Sequence, residues 1–133
     1  MDMFGTGIER LGRRIVLSGW REEDRRVVAF ERRVSDVLVF YGTAGMRTSE
    51  AFGSEWRVSC ARLGEEHEAS LARVLQNGGV SRLVDALGVY FSQEGVEFSD
   101  LLDLMDARGI PYAYACADER GIVSREEAAA IAS

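Results

Sequence analysis

One stripe of side chains through the middle of the chain constrains the fold more than any other feature. Between Ser49 and Gln76, SEAFGSEWRVSCARLGEEHEASLARVLQ, the residues Phe52, Trp56, Cys60, Leu63, His67, Leu71 and Val74 recur at steps of four, four, three, four, four and three. Residues three and four apart share one face of an α-helix, and here arginines and glutamates occupy the other faces. The spacing predicts a long central helix over 49–76, capped at Ser49 and divided by Gly64 into 50–63 and 65–76. Asn77-Gly78-Gly79 ends it.

The flanking segments are read against that helix. Thr6-Gly-Ile-Glu9 has the form of a capping box, and Ile8, Leu11 and Ile15 follow at helical spacing, which predicts a short helix over 7–17. Trp20, Val27, Phe30, Val34, Val37 and Tyr41 recur at steps of seven, three, four, three and four, with Glu22, Glu23 and Asp24 at the helix start and Gly42 at its end. That pattern predicts a helix over 20–41. VLVFY (37–41) is β-branched and aromatic, however, and could pair with RRVVAFERRV around Ser35-Asp36 as a hairpin. Helices follow at 82–92, behind Ser81, and at 99–108, where Ser99 caps, Arg108 closes the last turn and Gly109 and Pro111 follow. In PYAYACAD, Tyr112, Tyr114 and Cys116 alternate with Ala113, Ala115 and Ala117, which predicts an extended segment over 112–117 with one bulky and one flat face. Ser124 is placed to cap a short alanine-rich helix.

These elements predict one mainly α domain over 1–133, an antiparallel helical hairpin or bundle. Helix 20–41 lies against 49–76, helices 82–92 and 99–108 pack onto the pair, and 112–117 is extended. The alternative is α+β, with a small antiparallel sheet from 14–18, 25–33, 36–41 and 111–117 covered by the later helices. A length of 133 residues and a hydrophobic content of 47% suffice for a core without disulfides or metal.

Charge narrows the function classes. All 16 basic residues are arginine, interleaved with acids, and the net charge is −6. Residues 83–133 hold 3 arginines against 10 acids. An acidic second half argues against nucleic acid and anionic membranes as partners and suits a basic protein surface. MDMFGTGIERLGRR carries an acid at position 2 and no apolar h-region, which predicts no signal peptide, and no apolar run reaches the ~20 residues of a membrane span. Cys60 and Cys116 lack metal-ligand or CxxC spacing, so a cytoplasmic setting with two buried free thiols is expected.

The motif search yields little catalytic chemistry. His67 stands in GEEHEAS among Glu65, Glu66 and Glu68, but Gly64 occupies the position three before it and there is no second histidine, so a helical di-iron site is excluded. Asp100, Asp103 and Asp106 form an acidic ridge on the 99–108 helix without a facing second ridge. CADERGIVSREE resembles part of a calcium loop, but Cys116 and Arg120 fall where oxygen ligands are required. No metal, cofactor or catalytic residue is assigned. The sequence predicts a small acidic, non-catalytic interaction or regulatory module that binds a basic protein surface through Asp100, Asp103 and Asp106, or pairs with itself as a homodimer. The alternative is an enzyme or small-molecule binder with a pocket of scattered residues, for which His67, Tyr112, Tyr114 and Cys116 are the candidates.

Overall fold

The computed structural model describes residues 14–21, 23–53, 55–75, 82–118 and 121–122. Its centre is an antiparallel sheet rather than a helix pair. Six strands follow one another in space as they do in sequence: β1 (Arg14–Arg21), β2 (Asp24–Arg32), β3 (Asp36–Gly45), β4 (Trp56–Gly64), β5 (Ala113–Asp118) and the two-residue β6 (Gly121–Ile122). Helix α1 (Met46–Phe52) joins β3 to β4. A 3-10 turn (Glu65–His67) and helices α2 (Glu68–Leu75), α3 (Leu83–Ser92) and α4 (Phe98–Ala107) are inserted between β4 and its neighbour β5. The fold is α+β, and the helical bundle expected from the periodicity is overturned.

The sheet explains why the periodicity misled. Along β2 and β3 the side chains alternate between two faces, and both faces are apolar. Val28, Phe30, Val37, Val39 and Tyr41 belong to a core with Ala61, Leu63 and the helices, while Val27, Ala29, Leu38, Phe40 and Cys60 form a second cluster on the opposite face. A strand buried on both faces reads as a continuous apolar run, and the period of two that would expose it disappears. Of the segment 20–41, residues 20–21 end β1 and 24–41 form the β2–β3 hairpin, and Gly42 sits inside β3 rather than at a helix end. Residues 14–17 of the expected 7–17 helix lie in β1, while 7–13 and the Ser124 helix fall outside the described residues.

The 49–76 stripe is divided among four elements. Phe52 ends α1, where Gly53 takes the left-handed conformation at φ 69°. Trp56 and Cys60 face one side of β4, Leu63 faces the other, His67 closes the 3-10 turn, and Leu71 and Val74 belong to α2. Gly64, read as a joint within a helix, is the last residue of β4.

Segments whose apolar residues face one way were read more closely. The helices expected at 82–92 and 99–108 are α3 and α4, and the extended 112–117 is β5, with Tyr114 packed against the helical core and Cys116 buried. The cap of α4 is Glu97 rather than Ser99, in a reciprocal box with Asp100. The principal core lies between the helical layer and the sheet: Leu71 of α2, Leu83, Leu87 and Phe91 of α3, and Phe98, Leu101 and Met105 of α4 pack on Val28, Val39, Tyr41, Ala61 and Leu63. The second cluster draws no residue from any described helix.

The β2–β3 turn carries its own ion pair. Arg33 donates through Nε and a terminal nitrogen to the two carboxylate oxygens of Asp36, at 2.7 Å each, and Arg62 of β4 stands 3.7 Å away. The Arg33 hydrogen bonds hold the Asp36 carboxyl below the usual carboxylate range. A carboxyl depressed in the folded state stabilises the fold above its unfolded value of about 3.9, and that stability is lost as pH falls through the folded-state value. Urea unfolding of wild type and Asp36→Asn should therefore differ most at neutral pH and converge in acid. A constant gap from pH 7 to pH 3 would exclude the pair as the cause.

Candidate functional site

At one end of the sheet, on the helical side, α1 and the start of α4 stand apart and leave an open cleft of about 500 Å³. Each wall has a local cause. Helix α1 starts at Gly45, which offers no side-chain cap. Asp24, from the neighbouring β2, supplies one instead. Its carboxylate accepts the Arg47 backbone N–H at 3.0 Å and the Thr48 hydroxyl at 2.5 Å, which satisfies a free amide and sets an anion at the positive end of the helix. The opposite wall is the capping box of α4, in which Asp100 accepts the Glu97 N–H at 2.7 Å, followed by Phe98 and Leu102.

The floor is set by strand register. Tyr41 on β3 pairs with Ser59 on β4, and Ser59 pairs with Cys116 on β5; two residues toward the sheet end, Thr43 pairs with Arg57, and Arg57 with Asp118. Directly paired residues have Cβ atoms about 4.5–5.5 Å apart, so each row presents its side chains together. The Tyr41 hydroxyl donates to Glu97 Oε2 at 3.2 Å, and the ring lies 5.5 Å from Phe91 and 5.7 Å from Phe98. Burial, and then the Glu97 charge, raise the Tyr41 phenol above its usual range, against a lowering hydrogen bond from Arg26, so its proton stays in place at neutral pH. Ser59 Oγ lies 3.4 Å from the Tyr114 hydroxyl and 3.8 Å from Cys116 Sγ. The Arg57 guanidinium lies over the Phe52 ring at 4.1 Å from its centroid, a cation–π contact across the mouth of the cleft.

The residues singled out from the sequence are split between this cleft and its surroundings. Tyr114 lines the cleft and Cys116 is buried beneath it. His67 and Tyr112 line a separate shallow depression of about 390 Å³ with Asp36, Arg62 and Glu66. His67 is not sealed in the core: its side chain keeps 31% exposure and Nε2 stands 3.5 Å from Glu66 Oε1. The acidic ridge is exposed, but two of its three members have partners within the chain. Asp100 caps α4, Asp106 accepts the Tyr112 hydroxyl at 3.2 Å, and Asp103 points outward. Tyr90, on the other side of the ridge, has its phenol raised by burial first and by Asp100 and Asp103 next. Cys60 and Cys116 are buried free thiols on opposite faces of neighbouring strands. No three His, Cys, Asp or Glu side chains among the described residues converge as a metal set.

Asp24, Tyr41, Phe52, Arg57, Ser59 and Glu97 were not singled out as site residues in the sequence. They come from five elements, and no spacing within one element links them. The one usable signal was GTAGMRT (42–48), the strand-to-helix turn that places α1 over the sheet end.

No described helix is long and apolar enough to cross a membrane. No family model matches the chain, and neither the curated proteins nor the solved structures include one significantly similar to it.

Proposed function

We propose that the protein is a non-catalytic recognition module and that the cleft between α1 and α4 holds its ligand. The observation that carries this reading is the cleft itself. It has the volume of a small-molecule site, apolar walls in Phe52, Phe98 and Leu102, and a few convergent polar groups in Tyr41, Ser59, Arg57 and Tyr114. The polar groups are arranged to hold rather than to react. The Tyr41 phenol is a donor whose proton is retained, and the Ser59 hydroxyl has a phenol and a thiol, Tyr114 and Cys116, as its hydrogen-bond neighbours rather than a histidine or a carboxylate. On this reading the ligand is met at the sheet end, rather than at His67 or at Asp103 and Asp106.

The test is amide chemical-shift mapping with a fragment library, together with recovery of each bound compound after long incubation. Binders should perturb Tyr41, Arg57, Ser59, Glu97 and Tyr114 and be recovered unchanged. Fragments that gather at His67 and Tyr112 instead, or that are converted once bound, would overturn the proposal.

A further inference from the structure

Arg57 poses a question that the fold does not answer. It is half-buried at the mouth of the cleft, and its contact among the described residues is with a neutral ring, Phe52, rather than with a carboxylate. A guanidinium drawn partly out of water without a paired anion is costly. The register sets Arg57 opposite Asp118, a buried carboxylate of β5, yet the guanidinium lies over Phe52. The other charged groups of the cleft have structural duties. Asp24 caps α1 through both carboxylate oxygens, and Glu97 serves the box of α4 and accepts the Tyr41 hydroxyl. The Phe52 ring offers no carboxylate oxygen, so its contact with Arg57 does not engage the planar fork of five N–H donors that matches a carboxylate.

From this arrangement we infer that the ligand is an organic monoanion, a carboxylate carried on a flat apolar body. The inference rests on the cleft being the recognition site. The carboxylate pairs with Arg57 at the mouth. The body lies inward over Tyr41 and Ser59, between Phe52 and Ala51 of α1 on one side and Phe98 and Leu102 of α4 on the other. Ser59 is two residues along β4 from Arg57, about 6.8 Å, so the hydroxyl floor meets the ligand one ring's length from its charged end. One negative charge is preferred to two, because the lining is balanced: Arg47 and Arg57 stand against Asp24 and Glu97, and the second charge of a phosphate monoester would face two carboxylates. A free aromatic acid and the carboxyl terminus of a peptide ending in an apolar residue share this chemistry.

The experiment compares five probes on the full chain by calorimetry and amide shift mapping: 2-naphthoate, 2-naphthamide, 2-naphthyl phosphate, and acetyl-Leu-Phe as its free acid and its amide. Each acid should bind at least about tenfold more tightly than its amide, with the phosphate no tighter than the naphthoate. The acid–amide difference should vanish in Arg57→Gln and shrink several-fold in Arg57→Lys, which keeps the charge but loses the planar fork. The naphthoate binding more tightly assigns a free acid, and the peptide acid binding more tightly assigns a chain terminus. If acids and amides bind the cleft equally, or the phosphate binds best, the monoanion inference fails while the recognition reading stands. If no probe perturbs cleft residues, both fail. The wild-type comparisons decide the matter even if a variant does not fold.

Discussion

Phe91→Ala should cost the domain about 3–5 kcal/mol of stability, the range for emptying a buried aromatic site. Phe91 has no exposed surface, lies on the inner side of α3, and meets Tyr41 at 5.5 Å and Tyr90 edge-on at 5.2 Å. Its neighbours are fixed by the sheet on one side and by α4 on the other, so they cannot close on the space it leaves. Truncation therefore loses transfer free energy and opens a cavity as well. Set against a total of about 5–15 kcal/mol for a domain, such a loss is a large share. Urea unfolding followed by circular dichroism measures it. Phe91→Leu, which keeps most of the volume, should lose much less, and Val89→Ala, on the exposed side of the same helix, should stay within about 0.5 kcal/mol. A Phe91→Ala loss no greater than that of Val89→Ala would mean that α3 is not anchored as described. Ligand binding should weaken in the same variant, because Phe91 and Phe98 together hold the Tyr41 ring that floors the cleft.

How far such packing was legible depends on how many faces of a segment are buried. Helix α4 keeps Phe98, Leu101 and Met105 inward and Asp100, Asp103 and Asp106 outward, so its position could be read from 99–108. β5 turns tyrosine and cysteine one way and alanine the other, and 112–117 read as extended. β3 offers no such contrast: Val37 to Gly42 are all buried, alternately in the two clusters, and the only period left was a helical one formed by chance with Trp20 and Val27. β4 was hidden more completely, because its face toward the helices carries Ser59 and Ala61, too small to mark an apolar row. The α+β alternative placed four strands but lacked β4, and β4 joins the hairpins into one sheet. The same gap hid the candidate site. Arg57 and Ser59 lie on β4, and Tyr41 meets them through register, a relation that spacing within one segment cannot express. Tyr114 was singled out because its own strand was read correctly; Asp24 and Glu97 were counted as helix-start acids or as part of a charge balance, when each holds one wall of the cleft.

Gly45→Ala should be the second severe substitution, and it links the fold to the cleft. Gly45 joins β3 to α1 at φ 142°, a conformation that residues with a side chain rarely adopt. A Cβ there would stand 2.5 Å from Asp24 Oδ1 and 2.6 Å from the Glu23 carbonyl oxygen. The carboxylate could swing away, but only by releasing the Arg47 N–H and Thr48 hydroxyl that it caps, and the Glu23 carbonyl belongs to the backbone and cannot rotate clear. Backbone strain of about 1–3 kcal/mol and a lost cap of about 1 kcal/mol give an expected loss of about 2–4 kcal/mol, on the order of 10 °C in Tm. Gly53→Ala separates strain from collision. Gly53 also has positive φ, at 69°, at the other end of the same helix, yet a Cβ there meets nothing within 4 Å. Its cost should be about 1 kcal/mol, the left-handed preference alone. Asp24→Ala should lose only the cap, and Gly45→Ala added to it should cost less than in wild type, because the carboxylate collision is gone while the Glu23 carbonyl remains. Calorimetric melts of the four variants give the comparison, and Gly45→Ala costing no more than Gly53→Ala would remove the crowded junction from the account. Because α1 carries Phe52, and Phe52 carries the Arg57 guanidinium, a displaced α1 should also abolish the preference for a carboxylate over its amide, whereas Gly53→Ala should leave that preference intact.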